Sequence, residues 1–491
     1  MPLIPLQLPP GVYRNGTDLQ AANRWRDASL VRWVDGTMQP VGGWLTRASM
    51  TDKPLRGAIA WRDLSGDRWF AAGSYEKLFV GSANNTITDI TPAGIVVGTA
   101  DSTVNLAYGG GFYGTAAYGI IRPDDGQSLP ATTWSLDTWG ETLVACSDKD
   151  GRLLQWSLNT ATDAVAITGA PTNCDALVVT EERFLFALGA GGNYRKVQWS
   201  DREDITVWTP LATNEAGDIE LQTVGQIMLG IRTRGQTLIL TDNDAHTATY
   251  QGPPYVYGFE RVGSSCGAIS RLCAAAVDAG VFWMGQRGFF TYAGGAVQPI
   301  PSDVVDYVFS NMNVSQQSKV AAVTNAKFSE IWWFYPSTDG TENDSYVVFN
   351  YKENHWSIGE LARTSGIDAG VFTTPIWMTP AGAPINHEIG HYMGGATVYA
   401  ESGPIQLGAG DTTMSVVELI PDERTQGQAT VTFKTRFYPN DTERSYGPYS
   451  MANPTSTRFT GRQIALRVTG DDNIDWRWGV PRIDARPGSA R

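Results

Sequence analysis

His387, Glu388 and His391 stand in the order H-E-x-x-H inside the string "PINHEIGHYMGG", residues 384–395. On a helix that spacing puts two imidazoles one turn apart on one face, where both reach a Zn²⁺ ion and the glutamate serves as general base. Gly394 even falls where the longer H-E-x-x-H-x-x-G-x-x-H pattern has its glycine, but the third ligand position holds Thr397. The local sequence refuses a helix. Pro380, Gly382 and Pro384 precede the motif, Gly390 lies within it, and Gly394-Gly395 closes it. Ile385, His387, Ile389 and His391 alternate with Asn386, Glu388 and Gly390, which is strand periodicity. The expectation is a hairpin, with residues 376–379 running out, 380–383 turning and 385–390 returning. On a strand, residues four apart lie roughly 13 Å apart, and Glu388 points away from both histidines. The match is therefore read as chance, with no metal and no cofactor.

Other catalytic patterns are thinner. The remaining histidines are His246 and His355, and His355 in "ENHWSIG" reads as core packing. No phosphate loop of the G-x-x-x-x-G-K-[ST] kind occurs. Cys146, Cys174, Cys266 and Cys273 form no C-x-x-C pair. Four thiols in 491 residues make no disulfide framework, so they are expected reduced. The sequence is read as that of a protein that is not an enzyme.

The elements that must position these residues are strands. Apolar residues make up 42% of the chain and charged residues 18%, a globular balance. Trp, Tyr, Thr and Gly are plentiful, which suits pleated strands and tight turns. Helical periodicity is confined to short stretches near residues 20–28 and 302–312. Elsewhere hydrophobic runs open at Leu55, Ser135, Cys174, Val224, Ala268, Ser318 and Ser365, with steps of 80, 39, 50, 44, 50 and 47 residues. After the first, these steps match the ~40–50 residues of a four-stranded propeller blade. One blade cannot bury both of its faces alone, and a ring of blades can. The fold class expected is all-β: a β-propeller of about seven blades over residues 55–400, with an extended N-terminal arm (1–54) and a small C-terminal β-rich unit (401–491). The overlong first step holds a Gly- and Tyr-rich insertion at about 102–130, where Tyr108, Phe112, Tyr113, Tyr118 and Arg122 are candidates for a partner contact or a constriction.

The net charge of −13 argues against a protein that grips duplex DNA, where affinity comes from neutralising phosphates. It suits ordinary solubility or a surface that DNA slides past. The Pro-rich start "MPLIPLQLPPGVYRNG" has no basic region and no unbroken apolar core, so no signal helix is expected, and no stretch is apolar enough to span a membrane.

Both ends of the chain resemble a known family. "GVYRNGTDLQAANRWRDASLVRWVDGTMQPVGGW", residues 11–44, carries the block W-x-D…V-R-(aromatic)-x-D-G-x-x-x-P-x-G-G-W, filled here by Trp25, Asp27, Val31, Arg32, Trp33, Asp35, Gly36, Pro40, Gly42, Gly43 and Trp44. "RFTGRQIALRVTGDDNIDWRWGVPRIDARPGSAR" is similar to the same family's closing block, and "HEIGH…ESGPIQLGAGDTTMSVVELIPD" to a feature after its last blade. The family is the tail nozzle, or hub, of short-tailed bacteriophages, also called packaged-DNA stabilisation proteins. The resemblance implies a homohexameric ring in the virion tail, below an adaptor (head-to-tail connector) protein and assembled in the host bacterial cytoplasm. It implies a structural virion protein that retains packaged DNA and conducts it during ejection. It also implies docking surfaces for a plug or needle and for fibres or spikes, and it brings no catalytic residues. The alternatives are a glycan-binding or glycan-cleaving propeller of a tail component and a zinc metallopeptidase built on the HEIGH string.

Overall fold

The computed structural model describes residues 3–104, 128–405, 412–439 and 441–490. Tyr108, Phe112, Tyr113, Tyr118 and Arg122 lie outside the described residues. Strands dominate, and seven four-stranded antiparallel sheets follow one another along the chain. Their first strands are Leu55–Arg62, Trp134–Trp139, Ala176–Val179, Ile227–Thr233, Ala274–Val277, Ala321–Asn325 and Ser365–Ile367. Each touches the first strand of the next sheet, and the seventh touches the first, so the inner strands close a ring around an axis. This is a β-propeller, with one sheet per blade. Large aromatics fill the spaces between and within blades: Trp134, Trp156, Trp283, Trp332, Trp333 and Trp377 are all fully buried.

The ring closes with strands from both ends of the blade series. The seventh blade takes only three strands from its own stretch: Ser365–Ile367, Ile376–Met378 and Pro384–His387. Its fourth is Trp44–Thr46, with Trp44 opposite His387, Leu45 opposite Asn386 and Thr46 opposite Ile385. The rest of the N-terminal segment is used within the same chain. Trp25–Ser29 pairs with Val398–Ser402, and Ile4–Pro5 pairs with Arg482–Ala490. The helix expected near residues 20–28 is accordingly only a 3-10 turn at Asp18–Ala21, because pairing with the C-terminal unit draws the following residues into a strand. The second expected helix is present at Val305–Ser310.

The C-terminal unit is two sheets face to face. One has four strands and the other five, and each includes one strand from the N-terminal segment. "ATVTFKTR" alternates as its sequence implies, burying Ala429, Val431, Phe433 and Thr435. Phe433 meets Phe459 of the opposite sheet at 4.9 Å between ring centroids. "RFTGRQIALRVTG" reads as one strand but is two, Thr455–Gly461 and Gln463–Gly470, in different sheets. One hydrophobic core runs continuously from this sandwich through Trp25 and Trp33 into the later blades.

Ion pairs tie blades across the ring. Arg271, just before the fifth blade, reaches Asp175 at 3.0 Å and Asp148 at 3.6 Å, beside the third and second blades. Burial pushes the Asp148 carboxyl up to about 6, and Arg271 offsets this only in part. The folded state thus holds this proton to a higher pH than the unfolded chain does. The contribution of Asp148 to stability is present at low pH and is lost as pH rises from about 4 through 6, on the order of 3 kcal/mol over the interval.

Two outcomes are expected. In denaturant titrations, the stability of the natural chain relative to Asp148→Asn should be greater at pH 5 than at pH 7.5; a pH-independent difference would refute the account. A chain lacking residues 1–46 should lose its cooperative unfolding transition, and limited proteolysis should cut first within residues 365–387. Melting indistinguishable from that of the full chain would show that Trp44–Thr46 does not close the ring.

Candidate functional site

His387 ends the strand Pro384–His387, and the hairpin expected around the motif is present. The strand stops earlier than its alternation suggests, because Glu388 adopts a left-handed backbone with φ 59°. His387 is buried at 3% exposure between aromatic rings, 4.0 Å from Trp377 and 5.6 Å from Trp44 by centroid. Its Nε2 accepts a hydrogen bond from Arg363 Nε at 2.9 Å. Burial first, and the positive fields of Arg363 and Arg32 after it, hold the His387 pKa well below the ordinary histidine value, so the ring is neutral. Nε2 is thereby committed to a guanidinium and is not open to a metal ion. His391 lies beyond the strand in an exposed bend. Among the described residues no group of three His, Cys, Asp or Glu side chains is placed to hold a metal ion.

Glu388 is committed as well. The strand Val31–Val34 carries Arg32 into the interior with a side-chain exposure of 3%. Arg32 Nε and Nη2 donate to Glu330 Oε1 and Oε2, both at 2.9 Å. Nη1 and Nη2 donate to Glu388 Oε2 and Oε1 at 3.0 and 2.7 Å. The guanidinium stacks on the Phe328 ring, 3.8 Å from its centroid. Trp332 Nε1 donates to Glu330 and Asn325 Nδ2 to Glu388, which completes the shell. Burial opposes the charge on Arg32, and the two carboxylates more than offset it, raising its pKa. The carboxylates divide. Burial dominates at Glu330 and raises its pKa; at Glu388 burial is outweighed by Arg32 and Asn325, and the pKa falls.

The remaining residues of the N-terminal block surround this triad. Trp25 and Trp33 pack 6.1 Å apart, and Trp33 sets its edge against His355. Asp35 and Gly36 take φ 49° and 77°, the left-handed turn that joins Val31–Val34 to Thr37–Pro40. A Cβ on Gly42 would lie 2.2 Å from Glu388 Oε2, and one on Gly43 2.5 Å from the Tyr392 backbone nitrogen. The paired glycines are thus where the N-terminal segment touches the H-E-x-x-H loop, and Trp44 follows directly into the closing strand. Sequence reasoning treated the two motifs separately. A lone arginine within "VRWV" and a glutamate opening "EIWWFY" were the signals that joined them.

A G-x-S-x-G spacing is also present. Residues 263–267, "GSSCG", fit the G-x-S-x-G spacing, and Ser265 has a positive φ of 56°. The turn follows the outer strand of the fourth blade and enters no helix. Among the described residues no histidine bonds to Ser265; His246 is buried and faces Asp244 at 3.2 Å. No helix of the described residues is long and apolar enough to cross a membrane.

No family model matches the chain, and no curated protein matches it. Solved structures similar to it include a streptogramin B lyase (9% identity, 70% of this chain and 96% of that one, TM-score 0.42). Virginiamycin B lyase from Staphylococcus aureus is similar at 8% identity over 70% and 97% of the two chains, with a TM-score of 0.43. YCF48 from Cyanidioschyzon merolae is similar at 9% identity over 70% and 99%, with a TM-score of 0.37. At these levels nothing about activity transfers.

The triad generates a test. Arg32→Ala leaves two buried carboxylates facing each other and should cost about 3–5 kcal/mol. Glu388→Gln should lower the melting temperature measurably, because it removes one of two charged partners. If Glu388 were instead a peptidase base, the same substitution would leave the melting temperature unchanged.

Proposed function

We propose that this chain is a structural subunit of the tail nozzle of a short-tailed bacteriophage, forming a ring that retains packaged DNA and conducts it during ejection. What supports the reading is that the two sequence blocks bearing the resemblance, at opposite ends of the chain, fold into one unit against the propeller. Residues 11–44 run from the sandwich through the Arg32 triad to the closing strand. The closing block, residues 458–491, supplies the second half of Thr455–Gly461 and all of Gln463–Gly470 and Arg482–Ala490. The conspicuous chemistry of the H-E-x-x-H string is spent on holding that unit together. In this reading the chain catalyses nothing, and its acidity of −13 keeps DNA from adhering to a conduit wall. The hexamer, the adaptor above it and the fibre or spike and needle contacts belong to the same proposal.

A second reading, a glycan-directed propeller, draws on one observation. A pocket of ≈ 440 Å³ at the join of propeller and sandwich is lined by Tyr307, Tyr399, Asp27 and Glu360. Asp27 in it is already paired with Arg14 at 2.6 Å and bonded by Tyr399.

Negative-stain electron microscopy of the purified full chain, alone and with its adaptor, tests the proposal. Six-fold rings with an open centre are expected. Isolated small toroids under both conditions, together with a positive glycan screen, would replace the nozzle with the glycan reading.

A further inference from the structure

Five lysine and arginine residues are buried among the described residues: Arg32, Arg56, Lys319, Arg363 and Arg436. Burying a cation is costly unless an opposite charge accompanies it. Four of the five have that company. Arg32 pairs with Glu330 and Glu388, Arg56 with Glu342, Lys319 with Asp101, and Arg436 with Asp18. Arg363 pairs with no carboxylate among the described residues, and no acidic neighbour offsets the effect of burial on it.

Arg363 lies between the last strand of the sixth blade, His355–Glu360, and the first of the seventh, Ser365–Ile367. Its guanidinium gives Nε to His387 Nε2 at 2.9 Å and Nη1 to the Ala362 carbonyl at 2.7 Å. Neither acceptor carries charge, since His387 is held neutral. Nη2 is closed to solvent and meets no acceptor among the described residues. The surroundings add donors. Trp377 packs 4.0 Å from His387 by centroid, and its Nε1 is buried without an acceptor as well. Trp377 rests in turn on Trp332 and Phe334 of the sixth blade, at 5.2 and 5.5 Å. The unneutralised cation thus sits in the seam between two blades, over the Trp44 ring of the closing strand. Burial pulls its pKa down to about 9, so the guanidinium stays charged at neutral pH. A water molecule would satisfy Nη2 and leave the charge unbalanced, whereas an anion does both.

We infer that Arg363 holds a small inorganic anion of chloride size at Nη2, inside the seam between the sixth and seventh blades, as its counter-ion. Enclosure of Nη2 favours a monatomic ion over phosphate or an organic acid. The inference does not depend on the nozzle reading, since it concerns the join of two blades within one chain.

Crystals of the full chain grown in bromide test it directly. Anomalous scattering should place a bromide within hydrogen-bond reach of Arg363 Nη2, and bromide found only elsewhere would overturn the inference. In solution, the melting temperature should rise by on the order of a few degrees over a hundredfold increase in chloride. Ionic strength is held constant with gluconate, which is too large to enter the seam. Arg363→Met removes the charge and keeps an apolar stem, so it should lose the chloride-specific rise. Equal responses to chloride and gluconate, or a chloride response retained by Arg363→Met, would each refute the site. If Arg363→Met does not fold, the bromide position in the natural chain decides.

Discussion

The buried fork between Arg32 and the carboxylates of Glu330 and Glu388 is the contact on which the architecture turns. A propeller must close, and this one closes with a strand that arrives from the N-terminus, only three residues long. Three residues of pairing cannot by themselves define where a long segment lies. Arg32 can, because a planar guanidinium with a carboxylate on each of two edges and a ring beneath it has one acceptable position. Burying three charges is costly, and an apolar trio of similar volume could be as stable. What the ionic version supplies is register: it joins the N-terminal segment to the sixth blade through Glu330 and to the end of the seventh through Glu388.

From that fixed point the rest of the join follows. Glu388 must turn toward Arg32, which requires its left-handed backbone. The chain must then pass Glu388 closely, which requires glycine at residues 42 and 43. With the segment pinned, Trp44 reaches His387, and the strand Trp25–Ser29 lies beside Val398–Ser402. The sandwich is thereby built from both termini and shares one core with the propeller. Propeller and sandwich depend on the same pinned segment.

The repeat was legible because each blade restates the same burial problem. Runs opening at Leu55, Ser135, Cys174, Val224, Ala268, Ser318 and Ser365 correspond to inner strands beginning at Leu55, Trp134, Ala176, Ile227, Ala274, Ala321 and Ser365. The hairpin at the H-E-x-x-H string was legible from Pro, Gly and alternation. What periodicity could not carry was pairing between distant segments. Residues 365–387 hold material for three strands, and nothing local says that Trp44–Thr46 is the fourth. Trp25–Ser29 has helix-like spacing until Val398–Ser402 is placed beside it. Residues 458–470 read as one strand, and the corner at Gly461-Arg462 sends the halves to different sheets. A charged residue between valines, as at Arg32, marks a tertiary partner without naming it.

The same logic separates arginines that hold the fold from arginines that are open to something else. Arg32 donates through all three nitrogens to two carboxylates and has no exposed edge. Arg363 gives its Nε to His387 and Nη1 to a backbone carbonyl, and lies buried over the Trp44 ring. Both are closed to solvent, so the chemistry suggested by their neighbours His387 and Glu388 has no substrate-facing atom. Among the described residues Arg232 has one hydrogen-bond partner, Asp137, and its side chain stays half-exposed. The H-E-x-x-H spacing at residues 387–391 names a catalytic centre that strand periodicity already argues against, and nothing in the sequence marks residue 232. Counting which donors are already spent agrees with the periodicity at the first and singles out the second as a half-exposed cation.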